Sequence, residues 1–311
     1  MNKLENLDLN TIKLVYKNNF TTIQNSFLAT QSTFLSDIYK RYNYDLGNAN
    51  IVLYFSRRLH KQIIELREED MQYDISYNKF WENHSKIEQK ETKIIEVSKS
   101  TGLPKETVRR KIDELIKLKI LKRDGNRIYW MPANSDKAGY NSIVEKHIDH
   151  ISKLLQSMTR YLGIKISKDK IKQEIFKHFS FYQYHYLNTQ LNYIQYWQKK
   201  LNDLEILLIS LECVIQSYSH AERKKTKTNF SALSATTISA ITGIPRATCI
   251  RKLEKLHELK KVKKDSITKK YYLELNTLNS ASIFTKETNT KTISLYSVFY
   301  STILRNLIAY I

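Results

Sequence analysis

"TGLPKETVRRKIDELIKLKILKRDGNRIYW", Thr101 to Trp130, holds one of the 3 prolines and two of the 6 glycines in a chain of 311 residues. Glycine ends helices and proline starts them, so their crowding marks two boundaries close together. Beyond Pro104, Val108, Ile112, Leu115 and Leu118 recur at helical spacing and form one apolar stripe. Lys105, Glu106, Arg109, Arg110, Lys111, Asp113 and Lys117 fall on the polar side or its flanks.

The stretch occurs twice. At an offset of 141, 12 of the 27 positions from Ser98 to Asp124 are identical to Ser239 to Asp265, with no gap. Thr101/Thr242, Gly102/Gly243, Pro104/Pro245, Thr107/Thr248, Arg110/Arg251, Leu115/Leu256 and Asp124/Asp265 are among them. Two of three prolines in register imply related modules.

In each module a short helical pattern comes first: Ile94 and Val97, or Ile238 and Ile241, with Thr92 and Ser234 as expected N-caps. Gly102 or Gly243 suits a left-handed helix end, and Leu103 or Ile244 plugs the corner. In the second helix of the later module, Cys249, Leu253, Leu256 and Leu259 supply the stripe, which makes Cys249 a small core hydrophobe. A hairpin pattern follows, "ILKRDGNRIYW" with the turn signal Asp124-Gly125, or the longer "VKKDSITKKYYLEL". The hairpins carry Arg123, Asn126 and Arg127, or Lys263, Lys264, Lys269 and Lys270. Helix, turn, helix and basic hairpin make a winged helix, and helical stretches from Ile51 and Leu204 can supply each module's first helix. The expected fold is mainly α: two tandem winged helix-turn-helix modules with small β-hairpin wings and additional helices. Residues 1–140 would carry the first motif (about 92–131), and residues 141–311 the second (about 233–275) with a C-terminal helix.

Composition points to the partner. Lys+Arg 51 against Asp+Glu 31 gives a net charge of +20. An excess this large favours a polyanion, nucleic acid before a membrane surface. The run "ERKKTKT" from Glu222 to Thr228 suits phosphates, with a solvated surface loop as the alternative. Arg is rare, 13 in all, yet Arg109, Arg110, Arg246 and Arg251 all lie in the two second helices. A guanidinium grips guanine O6 and N7 with two hydrogen bonds, and Glu accepts from cytosine N4. Cys213 and Cys249 make no disulfide framework, "MNKLENLDLN" has no apolar signal core, and Arg305 and Asn306 argue against a span in the apolar last twenty residues. The expectation is a cytoplasmic protein without membrane contact, with a C-terminal helix that is buried or forms a homodimer.

The run "GLPKETVRRKIDEL" resembles the winged helix-turn-helix module of bacterial transcription regulators, of the catabolite-activator type and MarR-like. The resemblance covers about thirty residues per copy, and no cyclic-nucleotide domain accompanies it. It implies base-edge roles for Lys105, Glu106 and Arg110 and a phosphate contact for Thr107. In the second copy the matching residues are Arg246, Thr248 and Arg251, whereas Ala247 replaces the Glu.

Other candidates read as packing. The aromatic run Phe176 to Trp197 is expected between helices, and the pair His147 and His150, beside Asp149 and with no third ligand evident, on a surface helix. Phosphate loops, dinucleotide fingerprints and nucleophile motifs are missing, so no enzyme and no cofactor is expected. The expected function is sequence-specific binding of double-stranded DNA to regulate transcription. A plasmid-type replication initiator with two winged helices and a protein-interaction scaffold are the alternatives.

Overall fold

The computed structural model describes residues 7–70, 75–222, 232–273 and 284–310. Among them lie thirteen α-helices and two short antiparallel hairpins. The run 223–228 lies outside the described residues.

The repeated turn is built as its residues dictate. Helix α5 (Ile94–Thr101) stops where Gly102 takes φ 75°, and α6 (Lys105–Lys117) starts after Pro104. In the second copy α11 (Ala235–Thr242) stops at Gly243, φ 82°, and α12 (Arg246–Glu258) starts after Pro245. Positive φ at both corners is what makes glycine fit there. The threonine before each glycine is fully buried. Its hydroxyl donates to a carbonyl one turn back, Val97 or Ile238, at 2.8 Å. The same oxygen accepts the amide of Leu103 (3.4 Å) or Ile244 (3.2 Å), whose side chains are buried in the corner.

Several expectations shift by a few residues. Ser234 caps α11 by accepting from the Thr237 amide, but α5 begins after Lys93, and Thr92 is buried with no partner for its hydroxyl among the described residues. Val108, Ile112, Leu115, Cys249, Leu253 and Leu256 are buried, whereas Leu118 and Leu259 are 45% and 57% exposed. Both helices end just before those leucines, and Lys119 and Lys260 turn the chain away with positive φ. Ile241, at the end of α11, is likewise exposed.

Lys111, read as part of the polar side, is buried, and so is its repeat counterpart Lys252. Lys111 bonds Asp45, the residue that caps α3 (Leu46–Glu69), and reaches Asn48 at 3.4 Å. Lys252 bonds Asp203 and sits 3.0 Å from Glu205, at the start of α10 (Leu204–Glu222). The same lock thus holds α6 to the start of α3 and α12 to the start of α10.

Strands β1 (Leu121–Asp124) and β2 (Arg127–Trp130) pair from Leu121↔Trp130 to Asp124↔Arg127. The turn residues are therefore Gly125 and Asn126 rather than Asp124 and Gly125. Positive φ falls on Gly125 alone (φ 56°), which suits a II′ turn. Strands β3 (Lys263–Lys264) and β4 (Tyr271–Tyr272) bracket a longer loop, and Leu233 adds a bridge to Tyr271.

The duplication reaches past the turn. Helices α1 (Leu9–Asn18) and α2 (Phe20–Arg41) correspond to α8 (Lys168–Lys177) and α9 (Phe179–Leu201). An offset of 159 sets Phe20, Gln24, Leu28, Thr30 and Gln31 on Phe179, Gln183, Leu187, Thr189 and Gln190. Helices α7 (Lys137–Tyr161) and α13 (Lys286–Tyr310) each span 25 residues. At an offset of 149 their buried residues Val144, His147, Ile151 and Leu155 match Ile293, Tyr296, Tyr300 and Leu304. Among the described residues helix α4 (Tyr77–Asn83) has no counterpart in the second copy.

The copies embrace. Helix α3 packs along α9 and α10 along α2; α1 packs along α13 and α8 along α7. The ring trio Phe27, Tyr193 and Tyr296 is mirrored by Tyr186, Phe34 and His147. These contacts from copy one to copy two each have their converse, the signature of a two-fold relation, here inside one chain. The expected division at residue 140 falls within α7, and helices from both sides of it share one core. The aromatic run lies in this core, as does the apolar face of α13. His147, expected on a surface helix, is buried against Tyr186 and bonded to Gln183 at 3.0 Å.

These buried groups have two measurable consequences. Because Lys111 is buried and Asp45 remains 36% exposed, Lys111→Ala should lower stability by about 2 kcal/mol, below the range for a fully buried pair, read as a urea midpoint shift. Burial also pushes His60 down to about 3 and His147 to about 4. Well above pH 6.5 both are neutral folded or unfolded, so there they add no pH dependence. Between about 6 and 4 the unfolded chain takes protons that the folded one refuses, and stability should fall by about 1.4 kcal/mol per pH unit per histidine. Urea titrations of a His60→Phe, His147→Tyr variant should show that slope removed.

Candidate nucleic-acid interface

With their inner sides locked, α6 and α12 present their outer sides to solvent. Lys105, Glu106, Arg109 and Arg110 are exposed along α6 and Thr107 is half-buried. On α12, Arg246, Ala247 and Arg251 are exposed, while Thr248 and Ile250 are half-buried. Arg110 and Arg251 occupy the same repeat position, and neither makes a hydrogen bond or ion pair with the described residues. Their neighbours are engaged: Arg109 lies 3.0 Å from Glu106, and Arg246 donates to the Thr236 hydroxyl at 3.0 Å.

The hairpins are tied to these helices by a second repeated pair. Arg123 of β1 sits 3.0 Å from Asp113 of α6, and its counterpart Lys264 of β3 bonds Glu254 of α12. Lys264 also lies over the Tyr271 ring at 5.5 Å, and its hydrogen bond holds the Glu254 carboxyl below its ordinary value. Arg127 is paired with Glu88 at 2.7 Å. Asn126, Lys263, Lys269 and Lys270 are exposed on the hairpins. The fifteen positions singled out from sequence therefore divide. Lys105, Arg110, Asn126, Arg251, Lys263, Lys269 and Lys270 are open to solvent, Glu106, Arg109, Arg123, Arg127, Arg246 and Lys264 are engaged within the chain, and Thr107 and Thr248 are half-buried.

Each tight turn is braced from the other copy. Lys40 of α2 donates to the Ile241 carbonyl at 3.3 Å, beside Gly243. Gln195 of α9 bonds the Lys99 carbonyl, and Gln198 packs on Gly102. The two outward surfaces are thereby carried by one body.

Sequence reading missed both repeated locks, although the signal was present: lysine at 111 and 252, an acid at 113 and 254, and a base at 123 and 264 survive in register. Cys213 and Cys249 are buried, and burial pushes their thiols up to about 12 and about 11. Among the described residues no group of His, Cys, Asp and Glu is arranged to hold a metal, and no helix is long and apolar enough to cross a membrane. Compared with protein-family models, curated proteins and solved structures, the chain matches none.

Because Glu254 holds Lys264 and the Tyr271 hydroxyl (2.6 Å) together, Glu254→Gln should release the second hairpin alone. Hydrogen exchange should speed up at the amides of Lys264 and Tyr271 while the global urea midpoint stays put.

Proposed function

We propose that the chain is a sequence-specific double-stranded DNA-binding protein that regulates transcription through two winged helix-turn-helix modules. The carrying observation is the pair Arg110 and Arg251: related by the repeat, exposed, free of partners among the described residues, and borne by helices whose other sides are locked. A guanidinium held free on an outward helix can make the two-bond contact with a guanine edge in the major groove. The excess positive charge supplies the salt-sensitive attraction to phosphate. The internal two-fold lets one chain read two half-sites about one helical turn apart, roughly 34 Å. Glu106 and Arg109 face Ala247 and Ile250 across the repeat, so those half-sites differ in sequence.

The test is selection of duplexes from a random pool, followed by mapping of the enriched sequence in its genome. Enrichment of a bipartite site near promoters supports regulation, clustering at a replication origin assigns initiation instead, and no enrichment removes DNA reading altogether. On the enriched duplex, Arg110→Ala should cost about 1–3 kcal/mol and relax choice at one base pair. Lys270→Ala should weaken all sequences alike and lower the slope of log affinity against log salt by about 0.9, and Lys264→Ala, already neutralised by Glu254, by less.

A further inference from the structure

The two hairpin tips differ in kind. In the first, Gly125 and Asn126 turn the chain with no apolar side chain. In the second, Ile267 stands 88% exposed, more than any other large apolar residue described. Its loop is pre-formed. The Asp265 carboxylate accepts from the amides of Ile267 (3.1 Å) and Thr268 (2.6 Å) and from the Thr268 hydroxyl (2.7 Å). The Asp265 amide also donates to the Lys270 carbonyl (2.8 Å), and the Asp265 carbonyl accepts from the Lys269 amide (3.0 Å). Little conformational entropy is left to lose when such a loop docks. The isoleucine is therefore held outward by construction, with Lys269 and Lys270 exposed beside it.

An isolated isoleucine with exposed lysines two and three residues on is too small for a protein interface, which needs a contiguous patch of hundreds of square ångströms. It matches what a duplex accepts. A single apolar side chain can insert between stacked bases from the minor groove while adjacent cations hold the phosphates. Building on the DNA-binding reading above, we infer that Ile267 is a wedge that enters the minor groove beside the second half-site and opens one base step, bending the duplex on that side only.

The probe is the duplex enriched by selection, labelled at both ends for energy transfer and carrying 2-aminopurine at successive flanking steps. Wild-type protein should shorten the end-to-end distance, with a bend within about 20–90°, and should brighten one 2-aminopurine position. Ile267→Ala should abolish both signals and weaken binding about tenfold, in line with the apolar area lost; Ile267→Phe should restore them. If the wild type binds without bending, or Ile267→Ala leaves bend and fluorescence unchanged, the wedge is overturned while the DNA reading stands. A change in self-association with no change on DNA in Ile267→Ala overturns the wedge as well. Failure of the wild type to bind any duplex overturns both.

Discussion

A buried ammonium, used twice, sets what this chain can show to the outside. Lys111 and Lys252 cross from α6 and α12 to the aspartates that start α3 and α10. A buried charge is costly unless paired, so the register of those helices is fixed to within the reach of one hydrogen bond. With that side committed, the positions one residue earlier, Arg110 and Arg251, must face solvent. The outer pairs Arg123–Asp113 and Lys264–Glu254 then set the hairpins against the same helices. Several of the basic residues that make the chain look adhesive are thus structural, and a smaller set remains for a partner.

Legibility followed continuity. The turn, its glycines and the apolar stripe were readable because 27 residues repeat without a gap. The wider duplication was not, because the offset is 159 over α2 and α9, 141 over the turn and 149 over α7 and α13. Helix α4 and the unequal hairpins change the spacing between the repeated pieces, and those pieces agree in burial more than in identity: Phe27 answers Tyr186, and His147 answers Tyr296. Lysines were misread for a different reason. A helical wheel gives a residue's direction but not what another helix brings there, so Lys111 counted as polar surface until Asp45 was seen beside it. Helix ends failed similarly: Leu118 and Leu259 continue the apolar spacing, yet the chain has already turned at the next residue.

If the chain binds DNA as proposed, the reciprocal packing of the two copies bears on recognition. Two separate subunits would have to associate before reading a bipartite site, at a cost in translational and rotational freedom. Here α3 on α9 and α10 on α2 make that association a step of folding. Freed from self-complementarity, the copies have diverged where they face outward, at Glu106 and Ala247 and at the hairpin tips, while keeping the locks beneath.

The most direct measurement of this account is stoichiometry with a footprint. Sedimentation of protein titrated onto an enriched duplex, combined with hydroxyl-radical protection, should give one chain per duplex. It should also show two protected patches on one face, about one helical turn apart. Two chains per site, or a single protected patch, would contradict it.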